Sequence, residues 1–250
     1  MTEMLLTLDR VSRNFGGLQA VHDVTASIGA GELVGLIGPN GAGKTTLLDL
    51  ISGVLQPSSG TIAFRGQLTG RMPPYRVARL GIGRTFQVMR PFKGMTVLEN
   101  ALLGALFTRN DRFIVCVQRA EEVLDFLQLA DKRNWPISRL TLADVKRLEV
   151  AKALATQPRF LLLDEVMAGL NPREIEHVMK MVESINARGV TVLMIEHLMK
   201  AIMGICRRVI VLHHGQMIAD DTPRNVVNDP IVIKAYLGER FARRAEVPSA

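Results

Sequence analysis

At 250 residues, 48% hydrophobic and 22% charged, the chain is long and apolar enough to bury a real core, in one large domain or in a core carrying a sizeable insertion. No apolar run approaches the roughly 18 residues that span a bilayer, and the opening MTEMLLTLDR lacks the pattern of a secretory leader. The formal charge is +7, and the two cysteines, Cys116 and Cys206, stand in neither metal nor redox spacing, so they read as small buried hydrophobes in a reducing cytosol.

Taken in chain order, the β-branched runs LLTLDRVSRNF and LQAVHDVTASI open the chain as strands, followed by GELVGLIG, an apolar run of the buried-strand type that meets a glycine-rich turn. The turn, GPNGAGKTT, comprises Gly38, Pro39, Asn40, Gly41, Ala42, Gly43, Lys44, Thr45 and Thr46, and a helix is expected from about Gly43 to Ser52. This is the P-loop pattern in its required strand-to-helix setting. Glycines let backbone N–H groups approach phosphate oxygens without a Cβ in the way, and the new helix points its positive dipole end at the same place. Lys44 is suited to the β- and γ-phosphates, and the Thr45 hydroxyl to Mg²⁺.

GTIAFRG reads as a further strand. Between Leu50 and Leu98 there is no acid, while Arg65, Arg71, Arg76, Arg79, Arg84, Arg90 and Lys93 all fall there. That stretch is either a solvated face or a docking surface for an anionic partner, and Phe86, Met89, Phe92 and Met95 lie beside it. From roughly Val88 to Thr156 the pattern is mainly helical, and then strand and helix alternate: RFLLLDE, REIEHVMKMVESINAR, VTVLMIEH, LMKAIMGIC and RRVIVLHHG. Such alternation predicts a parallel sheet covered by helices, interrupted by a helical insertion. FLLLDE places Asp164 at the carboxyl end of a buried strand, where it suits the water shell of Mg²⁺, and Glu165 beside it suits orienting or deprotonating a water. VLMIEH repeats the arrangement and ends on His197, while Met194, Met199 and Met203 read as core fillers.

With these parts in order the chain resembles the ATP-binding subunit of ABC transporters over nearly its whole length. GPNGAGKTT looks like Walker A and FLLLDE like Walker B with the catalytic Glu165. RTFQ resembles the Q-loop ending at Gln87, a further Mg²⁺-side residue, and His197 matches the switch histidine. Ala168, Gly169, Leu170 and Asn171 sit at the D-loop, where Asp is more usual than Asn171. Phe15 stands where the family carries an aromatic on adenine; without the family, core packing is its favoured account. The fold implied is α/β: a P-loop NTPase (RecA-like) core with an antiparallel β subdomain and an inserted α-helical subdomain. Residues 1–87 and 157–237 would form the core, 88–156 the insertion with the signature turn, and 238–250 a C-terminal tail.

Leu140, Thr141, Leu142, Ala143 and Asp144 occupy the place of the signature, usually LSGGQ, whose turn closes on the ATP of a second subunit. Thr141-x-x-Asp144 is also a capping-box pattern, which uses the same N–H donors within its own helix. Both readings are expected to hold: Thr141 caps the helix, and the turn makes a weakened contact with the partner's nucleotide. The weakening predicts better function beside a sibling ATPase with a more usual signature than as a symmetric homodimer.

RTFQ, MTVLENALLGA, LLLDEVMAGLNP and NDPIVIKAYLGE together resemble the branch that powers branched-chain amino acid importers. That resemblance implies ATP and Mg²⁺ as cofactors and a second ABC ATPase subunit, homo- or heterodimeric, as partner. It also implies two membrane permease subunits, an indirect solute-binding protein, no nucleic acid, and a place on the cytoplasmic face of the membrane. The alternatives are an ABC motor for urea, amides or lipopolysaccharide export, or a soluble ABC ATPase acting on nucleic acid or the ribosome. An aromatic content of only 5% disfavours base stacking. A regulator that no longer hydrolyses ATP is disfavoured by the intact Lys44, Asp164, Glu165 and His197.

Overall fold

The computed structural model describes residues 3–87, 91–108 and 111–237. The tail expected at 238–250 lies outside these residues, as do Met89 and Arg90. In chain order the elements are β1 (Met4–Phe15), β2 (Leu18–Gly29), β3 (Leu33–Ile37), α1 (Lys44–Ile51), β4 (Ser59–Phe64), β5 (Gln67–Leu68), α2 (Pro74–Leu80), β6 (Ile82–Arg84), α3 (Val97–Thr108), α4 (Phe113–Phe126), α5 (Leu142–Ala155), β7 (Phe160–Asp164), α6 (Pro172–Ala187), β8 (Thr191–Ile195), α7 (Met199–Ile205), β9 (Arg208–His213), β10 (Gln216–Asp221), α8 (Pro223–Asn228) and α9 (Pro230–Leu237). The described residues pack as two compact units, one of residues 3–71 with 197–237, the other within 72–196.

In the first unit, β1 and β2 form a long antiparallel hairpin, and β4 then β5 extend it on the other side of β1. Alternation along β1 buries Leu6, Leu8 and Val11 and leaves Thr7 and Asp9 outward, as one-sided burial demands. A second group of strands differs in kind. β3 is apolar and buried at every position and pairs in parallel with β9, which continues into β10 as an antiparallel hairpin. Arg208 on β9 ties this group together, donating to Asp220, Glu32 and the Ser27 carbonyl. Cys206 is buried here, which pushes its thiol up to about 12 and leaves it inert as a nucleophile.

In the second unit, β6, β7 and β8 run parallel, and β7 and β8 are buried throughout. Continuous apolar runs of this sort occur where helices cover both faces of a sheet. α3 and α4 form a helical hairpin packed on α5 around Leu102, Ala105, Cys116 and Ala155. Met194 belongs to the core of β8. Met199 and Met203 in the first unit are only half-buried, because α7 is a short helix that turns Ala201, Ile202 and Ile205 inward instead.

Candidate nucleotide-binding and hydrolysis site

The glycine loop runs from the end of β3 to the start of α1, and its backbone dictates its sequence. Gly38 has φ +150, and a Cβ there would overlap the carbonyl oxygen of Leu212 on β9. Gly43, the residue that opens α1, is left-handed at φ +97, and its Cβ would overlap the carbonyl oxygen of Ala20. Two backbone bonds fix the turn from outside: Gly215 N donates to the Ala42 carbonyl at 3.0 Å, and His22 N donates to the Gly215 carbonyl at 2.8 Å. Lys44 is buried, and its Nζ donates to the carbonyls of Gly38 at 2.7 Å and Pro39 at 3.0 Å, which holds the ammonium over the loop. No side chain caps α1 and no acid occupies its first turn, so its N–H donors and dipole face the turn unopposed. Asn40, Gly41 and Thr45 are exposed, and Thr46 is half-buried.

Phe15, at the end of β1, is 42% exposed with the Arg13 guanidinium 4.7 Å over its ring centroid. Core packing is therefore not its role. His197, just past β8, is exposed and belongs with the glycine loop to the first unit.

The second unit carries the acids. Asp164 ends β7 as a buried residue, its N–H donating to Thr85 Oγ1 at 3.1 Å. Arg84 Nη2 lies 3.5 Å from Asp164 Oδ2, the two side chains being 5% and 1% exposed. This corrects the reading of Arg84 as part of an exposed basic surface: β6 pairs with β7 and turns the guanidinium inward, over the Phe86 ring. Glu165 adopts φ +52, a left-handed backbone that a non-glycine residue holds only under constraint. Its carboxylate accepts from Gln87 Nε2 at 3.0 Å, which brings the Q-loop and the acidic pair together within one unit.

Two residues at this point were not singled out from the sequence. Lys146 of α5 is 8% exposed and its Nζ donates to the Glu165 carbonyl at 2.6 Å. Glu196, directly after β8, is 3% exposed and its Oε1 accepts from Met167 N at 2.8 Å. Burial pushes the Glu196 carboxyl up to about 7, against the opposing pull of the Met167 N–H and the Lys146 charge. Burial likewise holds the Lys146 ammonium below its ordinary range. The signals available were a Glu closing a wholly apolar strand and a Lys on the same helical stretch as Leu148, Val150 and Ala151.

At the signature position, Thr141 caps α5 with a full capping box. Its Oγ1 accepts from Asp144 N, and Asp144 Oδ2 accepts from Thr141 N, both at 3.2 Å. Asp144 is 1% exposed and is gripped by Lys132 Nζ at 2.9 Å to each oxygen and by Arg147 Nη2 at 2.6 Å. Burial pushes its carboxyl up, but the hydrogen bonds from Lys132 and Thr141 and the Lys132 charge outweigh that and hold it below its ordinary value. Leu142 is exposed, and a Cβ on Gly169 would lie 3.2 Å from its Cδ2. Leu140 and Ala143 are half-buried. Further along, Ala168 and Gly169 are exposed, Leu170 is half-buried, and Asn171 caps α6, accepting from the N–H groups of Arg173 and Glu174. Asn and Asp serve a helix cap about equally, which accounts for Asn171 locally.

Among the described residues no group of three or more His, Cys, Asp or Glu gathers to hold a metal. Mg²⁺ takes one or two carboxylates and keeps its other positions for water and phosphate oxygens. The hydroxyl of Thr45, the amide oxygen of Gln87 and the carboxylate of Asp164 are hard oxygen donors of the right type.

The family model described as ABC transporter matches residues 21–168, more than half of the chain. A second, described as branched-chain amino acid ATP-binding cassette transporter, matches residues 216–242. The chain is 40% identical to the high-affinity branched-chain amino acid transport ATP-binding protein LivG of Escherichia coli K12, covering 96% of this chain and all of that one. It is 34% identical to the lipopolysaccharide export system ATP-binding protein LptB of Acidithiobacillus ferridurans, covering 95% and 98%. Its fold superposes on the ADP conformation of MJ1267, an ATP-binding cassette of an ABC transporter, with a TM-score of 0.86 at 30% identity, covering 95% of this chain and all of that one.

Proposed function

The chain belongs to the ABC transporter family, as one of its ATP-hydrolysing subunits, and from that premise we propose that it drives an importer of branched-chain or related amino acids. The observation that carries the solute class is the branched-chain match over residues 216–242, a segment outside the nucleotide motifs. It is supported by the full-length likeness to LivG.

The glycine loop, Gly38 to Thr46, cradles the phosphates by backbone N–H groups and Lys44, while the exposed Phe15 stacks on adenine. Thr45, Gln87 and Asp164 would hold Mg²⁺, which when bound would supply neutralisation of phosphate charge. Glu165 orients and deprotonates the attacking water, and Gln87, hydrogen-bonded to it, carries the state of the site towards the membrane partner. His197 reaches the γ-phosphate. Leu140 to Asp144 and the D-loop, Ala168 to Asn171, face the nucleotide of a second ATPase subunit. Two permease subunits complete the assembly, with a solute-binding protein delivering cargo to them. On this reading attachment is peripheral, through the permeases, on the cytoplasmic face; among the described residues no helix is long and apolar enough to cross a membrane. Residues 88–156 act as the helical subdomain between the halves of the core.

The test is co-purification with two candidate permease subunits and reconstitution into proteoliposomes. ATP hydrolysis is expected to rise when a leucine-loaded binding protein is added to the lumen. Stimulation by lipopolysaccharide but not by loaded binding protein would favour the exporter reading that the LptB likeness also permits. Adding a sibling ATPase is expected to raise the rate above the sum of the two alone.

A further inference from the structure

Glu165 sits in a backbone conformation that costs energy, so something must hold it there. A non-glycine residue at φ +52 is disfavoured and persists only where neighbours over-determine it. Two buried side chains of opposite charge meet that requirement. Lys146 Nζ grips the carbonyl of Glu165 at 2.6 Å from one element, α5. Glu196 Oε1 grips the N–H of Met167 at 2.8 Å from another, the end of β8. The Glu165 N–H is itself taken by the Ile195 carbonyl, one residue before Glu196. The segment Glu165–Val166–Met167 is thus clamped at both ends through its backbone, while both charges also act on the Glu165 carboxylate through space.

We infer that Lys146 and Glu196 are positioning residues that set the direction of the Glu165 carboxylate, and that Lys146 links it to the signature turn of the same subunit. The linkage is short. Lys146 lies two residues after Asp144, on the helix whose first turn is fixed by Thr141, Lys132 and Arg147. A displacement of the start of α5 on meeting a partner's nucleotide moves Lys146 and hence the Glu165 carbonyl. The pair is also internally consistent: each charge offsets burial of the other, Lys146 pulling the Glu196 carboxyl down and Glu196 pulling the Lys146 ammonium up. Leaving either alone strands a buried charge. The inference rests on Glu165 being the catalytic carboxylate, and the experiment below separates the two claims.

ATP turnover is measured in the assembled transporter for wild type, Glu165→Gln, Lys146→Met, Lys146→Arg, Glu196→Gln, Glu196→Leu and the double variant Lys146→Met/Glu165→Gln. Thermal melting and nucleotide affinity are measured on the same samples. Lys146→Met is expected to lower kcat by roughly 10- to 100-fold with KM for ATP nearly unchanged, the signature of a misaimed group. In the Glu165→Gln background the same change should have almost no further effect, because the carboxylate it aims is gone. Glu196→Gln keeps an acceptor for the Met167 N–H and should retain most activity, while Glu196→Leu should not. Lys146→Arg keeps a cationic donor and should rescue in part.

Equal losses from Lys146→Met in both backgrounds would overturn the inference, as would a loss confined to KM or equal activities of Glu196→Gln and Glu196→Leu. If Glu196→Leu fails to fold, the Lys146 cycle alone decides. If Glu165→Gln hydrolyses ATP at the wild-type rate, the catalytic reading of Glu165 fails first, whatever Lys146 does.

Discussion

The glycine loop and the signature turn both stand at the start of a helix, yet they are built on opposite plans. In the loop the side chains are absent where it matters: Gly38 and Gly43 have backbones that no other residue fits, and the N-terminus of α1 is left without an internal cap. At the signature turn the side chains do the binding: Thr141 and Asp144 satisfy each other's N–H groups, and Lys132 and Arg147 lock Asp144 inward. A helix start whose donors are open can serve a phosphate; one whose donors are spent on its own cap serves mainly its own fold. On the proposed role of this turn, the usual Gly-Gly-Gln of the family's signature and the Leu142-Ala143-Asp144 here divide the same few hydrogen bonds differently between partner and self.

Three measurements press on that comparison. The largest effect should come from Gly38→Ala. Overlap with the Leu212 carbonyl and an unfavourable φ together cost about 3 kcal/mol, so ATP affinity read by calorimetry should fall by roughly 100-fold. Unchanged affinity would mean that the loop is not held as tightly as its neighbours imply.

Next comes Asp144→Ala, which removes the acceptor for Lys132 and Arg147. Breaking a buried pair costs about 3–5 kcal/mol, and less here because both cations are partly exposed. A drop of about 2–3 kcal/mol in unfolding free energy is expected, with ATP affinity of the isolated subunit unaltered. The same group sets a pH signature. Its folded carboxyl lies below the ordinary value of 3.8, so its stabilisation is present above that value and lost as the pH falls through the folded one. Denaturant unfolding of wild type should therefore weaken on acidification below roughly pH 4 more steeply than that of Asp144→Asn. Parallel curves would detach Asp144 from the acid limb.

The smallest effect is that of Thr141→Ala, about 1 kcal/mol of stability from one lost cap. A much larger loss of cooperative ATP turnover with a sibling subunit would show that the Thr141 hydroxyl also serves the partner.

Much of this was legible in the letters. The parallel strands announced themselves as unbroken apolar runs, the loop as GPNGAGKTT, the cap as Thr141-x-x-Asp144. These features are local, since a handful of adjacent residues contain the whole physical reason. Arg84, Lys132, Lys146 and Glu196 were not legible, for the converse reason. A charged residue in a sequence looks solvated until strands or helices distant along the chain close over it. Arg84 was assigned to a surface because its neighbours in sequence are basic and acid-free, whereas its neighbour in space is Asp164, eighty positions on. Phe15 was ambiguous for the same reason, and only its exposure separates a stacking platform from a core residue.

The ordinary helical backbone at Leu142 and Ala143 has an evolutionary corollary. Neither position is among those with positive φ, so nothing in the chain's own backbone demands glycine there, and a residue with a side chain carries no backbone penalty in the monomer. On the proposed role of this turn, drift at these two sites is filtered by what a companion subunit tolerates. A genome that carries two such ATPases side by side can let one copy wander at this turn while the other keeps its glycines, and the inequality between them then becomes heritable.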